Sequence, residues 1–468
     1  MRKTKIICTL GPASSNTETL KQMMAAGADV FRINMSHAQH GSVREVVPRI
    51  RKIAAQLKRS VAILLDTQGP AIRTGPVKTE LNLKIGDILE FTVRGAKSTE
   101  KYSVGVNYNG FIGDISEGNT ILVDNGVMRL LVLKKGRNRV RCRVLTPGLL
   151  GSRRHINLPG VHVNLPPLTK KDLADVALGA EIGADFVALS FARQKSDLDE
   201  LRRVLKKLRS PAQIVAKIED QSAVRQIDEM IDAADAVMIA RGDLGIEIPM
   251  EELPIIQRRI VKRCIRVGKP VIVATHMLES MIEKPLPTRA EITDVANAVF
   301  EQADAIMLSG ETSMGRYPID CVKVFDRVSR RIERSGGAGF AEFAILEDNR
   351  QKTVSAAVVL ANSLSQSKLI VFTHNGTMAR HVSNMRPQRA PIFAFASSEQ
   401  VYRQLALCWG TYPILMEFGD HPDRTIELAV KYLRDRKLTE RGDNLVILSH
   451  VRGGEAVLVD SVQLRQAK

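Results

Sequence analysis

Lys217, Glu219 and Asp243 are the side chains of this sequence best placed to do chemistry. They end two apolar runs, Gln213-Ile214-Val215-Ala216-Lys217-Ile218-Glu219 and Ala236-Val237-Met238-Ile239-Ala240-Arg241-Gly242-Asp243-Leu244-Gly245, with a helical stretch between. That is the pattern of strand, helix and parallel strand. Side chains alternate along a strand, so Lys217 and Glu219 point the same way, and Asp243 falls just past the equivalent end of the next strand. Two carboxylates with room for water suit a hard divalent ion such as Mg2+ or Mn2+, and an ammonium beside it can neutralise a phosphate or enolate oxygen. A buried ion-pair network tying two strands together is the plainer reading of the same spacing.

The elements that must position these groups alternate regularly. Residues 4–10 predict a first strand, and Ser15-Asn16-Thr17-Glu18 reads as a capping box opening a helix that ends near Gly27. Residues 29–37 predict the second strand, 39–58 a helix, and 60–67 a third strand running into Asp66-Thr67-Gln68-Gly69-Pro70. From about 75 to 165 the period changes to short alternating strands with no convincing helix. Examples are 87–94, 120–123 with the hairpin signal Asn125-Gly126, and Arg139-Val140-Arg141-Cys142-Arg143-Val144, whose alternation fits a half-solvated strand. Helical periodicity returns at Thr169, with helices over 170–182 and 195–208 around a strand at 185–190. Beyond the two central strands come a helix over 252–267, a strand at 270–275, the capping box Thr288-Arg289-Ala290-Glu291 and a strand at 303–308. Pro318 then opens a helix with Ile319, Val322, Phe325, Val328 and Ile332 on one face. Eight such units predict a closed (β/α)8 TIM barrel over 1–69 and 168–335, interrupted after its third strand by an all-β domain over 70–167. The glycine-rich stretch 335–339 marks a linker. Apolar runs at 369–372, 392–396, 414–417, 445–448 and 456–459, alternating with helical stretches, predict a separate doubly wound α/β domain over 350–468.

Composition narrows the function. The 468 residues are 44% hydrophobic and 25% charged, which sets aside disorder. A net charge of +17 favours anionic ligands. Nucleic acid is disfavoured by an aromatic content of 4% with a single tryptophan, Trp409, since single-strand binders stack bases on exposed rings. Cys8, Cys142, Cys264, Cys321 and Cys408 form no close pairs, so neither a zinc site nor a disulfide framework is expected. No run approaches a membrane span, and a reducing, cytoplasmic setting fits best.

In such a barrel chemistry belongs at the C-terminal ends of the strands. Those positions hold Arg32, Asn34 and Ser36; Asp66 and Thr67; Lys217 and Glu219; Arg241 and Asp243; Thr275 and His276; Ser309 and Glu311. Polar ends on six of eight strands are expected to face one pocket, although each alone reads as a helix cap. Arg32 and Arg73 can grip phosphate or carboxylate oxygens in two-point contacts. Asn34, Ser36, Asp66 and Thr67 offer neutral oxygens and one carboxylate, which suits a monovalent cation. Arg73 falls just beyond Pro70, where the insertion begins, so a hinged lid that shuts water out of a phosphoryl transfer is expected.

The segments Thr4-Lys5-Ile6-Ile7-Cys8-Thr9-Leu10-Gly11-Pro12-Ala13-Ser14, Arg32-Ile33-Asn34-Met35-Ser36-His37, Leu65-Asp66-Thr67-Gln68-Gly69-Pro70, Lys217-Ile218-Glu219, Ala240-Arg241-Gly242-Asp243-Leu244-Gly245, Ala274-Thr275-His276-Met277-Leu278-Glu279-Ser280-Met281 and Leu308-Ser309-Gly310-Glu311-Thr312 resemble, in order, the signatures of the pyruvate kinase family. The resemblance implies transfer of the phosphoryl group of phosphoenolpyruvate to ADP, giving pyruvate and ATP. It implies that Arg32, Lys217, Gly242, Asp243 and Thr275 contact substrate, with Lys217, Thr275, Arg32 and Arg73 catalytic. Glu219 and Asp243 would hold Mg2+, Asn34, Ser36, Asp66 and Thr67 would hold K+, and Asn34, His37, Arg73 and Arg154 would meet the nucleotide. The family's usual homotetramer is expected. Lys217 would stabilise charge on the moving phosphoryl group, and Thr275 would relay a proton through water to the vinyl carbon.

The sequence departs from the family at several points. Gln68 stands for a usual Lys. Ala71 stands where K+-dependent members carry Glu and K+-independent ones Lys, which leaves the K+ requirement open. His276 replaces Gln, Asn125 replaces Asp, and Arg154 replaces Lys with its charge kept. Thr373-His374-Asn375-Gly376-Thr377-Met378-Ala379 resembles a phosphate-cradling turn, making Thr373, Asn375, Gly376 and Thr377 candidates for an anionic effector; a helix cap explains the same residues. Two other readings compete. An Mg2+-dependent enolate-forming lyase needs neither the lid nor Arg73 and Arg154, and a basic regulatory or nucleic-acid-binding protein would retain the fold alone.

Overall fold

In the computed structural model, which describes residues 1–98, 100–161, 163–419, 421–453 and 457–467, eight parallel strands close into a barrel. In chain order these are β1 (Lys5–Thr9), β2 (Val30–Asn34), β3 (Ala62–Asp66), β4 (Phe186–Leu189), β5 (Gln213–Ile218), β6 (Ala236–Ala240), β7 (Val271–Ala274) and β8 (Ala305–Leu308). Each pairs with its neighbours in sequence, and β8 closes on β1 with Lys5 opposite Ala305. The eight-strand expectation holds. Alternation along each strand sorts the side chains. Ile6, Phe31, Ile63, Val187, Ile214, Val237, Val273 and Ile306 pack outward against the helices. Val30, Leu64, Ala188, Val215, Met238, Ile272 and Met307 fill the interior. Continuing the same period two residues further brings Arg32, Asp66, Ser190 and Lys217 to the mouth, where apolar filling gives way to charge.

The first helix, Thr17–Ala26, is capped one residue later than expected. Asn16 accepts from the Thr19 amide, Ser15 turns back to the Gly11 carbonyl, and Glu18 bonds Gln22, so no capping box forms there. The Thr288 box does form. On the helix Pro318–Glu333, Val322 and Phe325 are buried with Cys321 and Val324, while Ile319, Val328 and Ile332 are half-buried against the same core.

The chain between β3 and β4 builds a six-stranded sheet and a two-stranded one around their own apolar cluster, which includes Phe91, Phe111, Leu130 and Val140. It is not purely β: Phe111–Asp114 is one helical turn. The Asn125-Gly126 hairpin is present, with Val123 opposite Met128 and left-handed backbone at Asp124, Asn125 and Gly126. Gly69 sits where this segment departs. Its φ of +71° suits glycine, and a Cβ there would lie 2.8 Å from the Phe191 ring. Asp172, buried at the start of the helix Lys170–Glu181, accepts from the Gln68 and Gly69 amides at 3.0 Å each and clamps the exit to the barrel. Asn157 returns the contact by donating to Glu247 Oε1 at 2.9 Å.

The C-terminal sheet runs Thr411–Leu415, Ile392–Ala396, Ser367–Thr373, Asn444–Gly453 and Val457–Gln466, parallel except for the last antiparallel pair. The run expected at 456–459 begins outside the described residues. Ala406 and Leu407 of this half join the interior cluster of the barrel and stop its N-terminal end. Arg403 reaches buried Asp185 at 2.8 Å, and Arg386 reaches Asp304 at 2.7 Å.

Burial raises the Glu247 carboxyl to about 7, against the opposing bond from Asn157. Its folded value therefore exceeds its unfolded one near 4.5. Over that window the folded chain keeps a proton that the unfolded chain releases, so stability falls as pH rises from about 4.5 to 7 and then levels. Urea unfolding measured across this range should show that decline, with at most about 3 kcal/mol of it from Glu247, and Glu247→Gln should remove that share.

Candidate active site

The mouth of the barrel opens into a cavity of about 420 Å³. Lys217, at the inward face of β5, is buried. Its Nζ donates to Ser190 Oγ at 2.7 Å and lies 2.8 Å from Glu219 Oε1 and 3.2 Å from Asp66 Oδ1. Burial works against the ammonium, but the Asp66 and Glu219 carboxylates overcome it and hold the pKa above the ordinary lysine value. Asp66, fully buried, is drawn below the usual carboxylate range despite its burial, by Lys217 and by Arg32, whose Nε donates to Oδ2 at 2.7 Å. Glu219 goes the other way: burial, with Asp243 beside it, raises it to about 7 against the pull of Lys217. Its second oxygen accepts from the Phe191 amide at 2.6 Å.

Arg32, Asn34, Ser36, Thr67, Arg73, Arg154, Lys217, Glu219 and Asp243, all singled out in the sequence, line this one cavity, with Asp66 directly beneath. Gln68, Ala71 and Asn125, three of the departures, line it too. Arg32, Arg73, Arg153, Arg154 and Lys217 face Glu219, Asp243 and Asp124, an excess of cations suited to a polyanion. Arg73 Nη1 currently donates to the Arg153 carbonyl at 3.1 Å, and Arg154 faces Asp124 at 3.3 Å. His37 is exposed and outside the lining.

The expectation that six strand ends share the pocket needs correction at β7 and β8, and at β6 for Arg241 alone, since Asp243 lines the cavity. Arg241 turns away. It holds both Asp294 oxygens at 2.7 Å, the Thr275 carbonyl at 2.7 Å and the Ala274 carbonyl at 3.3 Å. Glu311 is likewise spent on the Ser309 and Leu278 amides, and His276 lies 3.6 Å from Glu279, so none of these lines the cavity. Thr275 is not among the lining residues either. Its hydroxyl donates to the Ala274 carbonyl at 2.6 Å and accepts from the Gly242 amide at 2.7 Å. Its φ of +70° is a strained conformation for a β-branched residue, and the Arg241 grip on its carbonyl holds it there.

Sequence reasoning missed Ser190, His155, Asp124 and the Phe191 amide. Ser190 was reachable, because it continues the inward period of Phe186 and Ala188. His155 and Asp124 reach the cavity only through the tertiary fold of the inserted segment. Burial lowers the His155 pKa, with Asp243 opposing and Arg73 assisting.

Among the described residues no group of three or more His, Cys, Asp or Glu could hold a metal by itself. Glu219 and Asp243 nonetheless fit Mg2+, which keeps several waters and takes one or two carboxylates plus substrate oxygens. Both carboxylates line the cavity, where substrate oxygens could complete the ligand set.

A (β/α)8 barrel whose cation-rich cavity is built on a lysine and two carboxylates fits a phosphotransferase, the class its relatives belong to. Family models agree: the barrel domain of pyruvate kinase matches residues 1–322, and the pyruvate kinase alpha/beta domain matches 351–463. The chain belongs to the pyruvate kinase family and transfers the phosphoryl group of phosphoenolpyruvate to ADP. It is 41% identical to plastidial pyruvate kinase 3 of Arabidopsis thaliana over 96% of this chain and 78% of that one. It is 40% identical to pyruvate kinase isozyme G, chloroplastic, of Nicotiana tabacum over 96% of this chain and 80% of that one. Against the pyruvate kinase of Geobacillus stearothermophilus the figure is 40% over 97% and 78%. Enzymes of this family generally use Mg2+ and K+.

Lysine cannot reproduce the planar grip of Arg241 on Asp294 and the Thr275 carbonyl. Arg241→Lys should therefore lower kcat for pyruvate release by about 10- to 100-fold while changing the KM for phosphoenolpyruvate much less. Steady-state kinetics with both substrates varied would check the split.

Proposed function

We propose that Lys217 is the charge-stabilising group of the transfer, and that the cavity it heads takes phosphoenolpyruvate and ADP together. The observation that carries this reading is one buried ammonium shared by Asp66, Glu219 and Ser190 at the floor of a cavity rimmed by arginines. Arg32, anchored on Asp66, grips the phosphoryl end. Glu219 and Asp243 would hold Mg2+, which supplies a second positive charge to the phosphoryl oxygens. Glu219 can turn one oxygen toward a cation because Lys217 retains Asp66 and Ser190. Arg73 and Arg154 exchange their present internal partners for the nucleotide phosphates. The Thr275 hydroxyl donates to the Ala274 carbonyl, so relaying a proton from water to the enolate carbon requires the hydroxyl to rotate. With Gly242 fixed against Thr275, the two act as a substrate-side pair.

Residues 1–69 and 168–335 would serve as the catalytic unit and 70–167 as a lid, pivoting where Asp172 clamps Gly69. Asn34, Ser36, Asp66 and Thr67 would take K+. Asp66 already faces two cations and Ala71 adds no carboxylate, so that site holds K+ weakly. Thr373, Asn375 and Thr377 line a second cavity of about 450 Å³ in residues 350–468, where, among the described residues, the Thr373 hydroxyl is buried without a partner. Gly376 caps the adjoining helix with a φ of +84°, and Asn375 accepts from the Thr377 amide, an arrangement suited to a small anionic effector. Five buried, unpaired cysteines favour a reducing compartment.

Lys217→Met should lower kcat by at least about 10³-fold, read as pyruvate release with ADP present; an unchanged kcat would overturn the role. Ala71→Glu should reduce the K+ concentration for half-maximal activity by about 2- to 5-fold, the factor an exposed charge pair gives.

A further inference from the structure

Three oxygens crowd the Lys217 ammonium: Ser190 Oγ at 2.7 Å, Glu219 Oε1 at 2.8 Å and Asp66 Oδ1 at 3.2 Å. They are as many as the ammonium has N–H groups. An incoming phosphoryl or enolate oxygen therefore has to displace one of them, and the three are not held alike. Asp66 is pinned from its far side by Arg32, whose Nε and Nη2 reach Oδ2 at 2.7 and 2.6 Å. Ser190, 2% exposed, is pinned twice by Thr67: its hydroxyl donates to the Thr67 carbonyl at 2.7 Å and its amide to Thr67 Oγ1 at 3.2 Å. Glu219 has one anchor, the Phe191 amide on its other oxygen, and like-charged Asp243 lines the same cavity. Glu219 is the partner that yields.

The consequence falls on Ser190. An ammonium turns readily about its Cε–Nζ bond unless an acceptor orients it. The Ser190 contact is a hydrogen bond, whereas the two carboxylates meet Nζ as ion pairs. The hydroxyl has one proton to give. The Thr67 carbonyl takes it at 2.7 Å, with Asp66 Oδ1 the longer alternative at 3.2 Å, so a lone pair is left for Lys217 in either case. A neutral oxygen also orients the ammonium without cancelling the charge that a phosphoryl group must meet.

From this arrangement we infer that Ser190 is a positioning residue of the phosphoryl transfer, holding the Lys217 ammonium so that the N–H given up by Glu219 is presented to the cavity. The inference rests on the role given to Lys217 above. It brings the end of β4, which supplies none of the side chains so far given a part in the transfer, into the reaction.

Ser190→Ala removes the acceptor, while Ser190→Cys keeps nearly the same size and offers only a weak one, so lost packing separates from lost orientation. Each should lower kcat for pyruvate release by at least about 10-fold while changing the KM for phosphoenolpyruvate by less than about 3-fold. In the Lys217→Met background, Ser190→Ala should cost less than about 2-fold, because the group it orients is gone. Mn2+ binding without substrate, followed by electron paramagnetic resonance, should weaken by at least about 3-fold in Ser190→Ala, since an ammonium deprived of its neutral partner holds Glu219 harder. A smaller kcat loss in either single variant, an equal loss in both Lys217 backgrounds, or unchanged Mn2+ binding would sink the inference. An unimpaired kcat in Lys217→Met alone would instead remove the reading beneath it, leaving Ser190 nothing to position.

Discussion

A buried positive charge needs partners, and in this protein the need of one ammonium organises the active site. Lys217 cannot remain charged at the floor of a closed barrel unless carboxylates compensate for lost water. Asp66 and Glu219 do so from adjoining positions, and each is itself committed, Asp66 to Arg32 and Glu219 to the Phe191 amide. The result is a chain of charges crossing β2, β3, β4 and β5. It is overconstrained on one side and short of cation on the other, where Glu219 and Asp243 meet. The imbalance sets where a metal fits and where a phosphoryl group is drawn.

The opposite wall is governed by backbone rather than by charge. Arg241 and Glu311, both buried, spend their hydrogen bonds on the Asp294 carboxylate and on backbone groups at and beyond the ends of β7 and β8. These contacts hold Thr275 and His276 in left-handed conformations that a free loop would leave. One half of the mouth therefore reacts through side chains, and the other is a rigid frame presenting one hydroxyl beside one glycine.

Much of this was legible beforehand because strands impose a period of two. Lys217, Arg32 and Asp66 had to face inward once Val215, Val30 and Leu64 did, and βα alternation fixed the barrel. What the sequence concealed depends on partners far along the chain. Nothing local tells that Arg241 pairs with Asp294 instead of facing the pocket, that Asp172 clamps Gly69, or that His155 and Asp124 arrive from the inserted sheets. Local rules also failed by a residue: Ser15 and Glu18 fit a capping box, but Asn16 competes for the cap and wins. The single turn at Phe111–Asp114 is too short to leave a helical period.

The apolar stopper formed by Ala406 and Leu407 carries a consequence for how the two halves depend on each other. A barrel of this size is ordinarily filled by its own staves, yet here part of the packing is borrowed from a segment nearly a hundred residues beyond the last of them. Withdrawing that segment would hollow the interior two layers below Lys217. The catalytic half thus shares its interior packing with its neighbour, and the charged layer rests in part on side chains from outside the barrel.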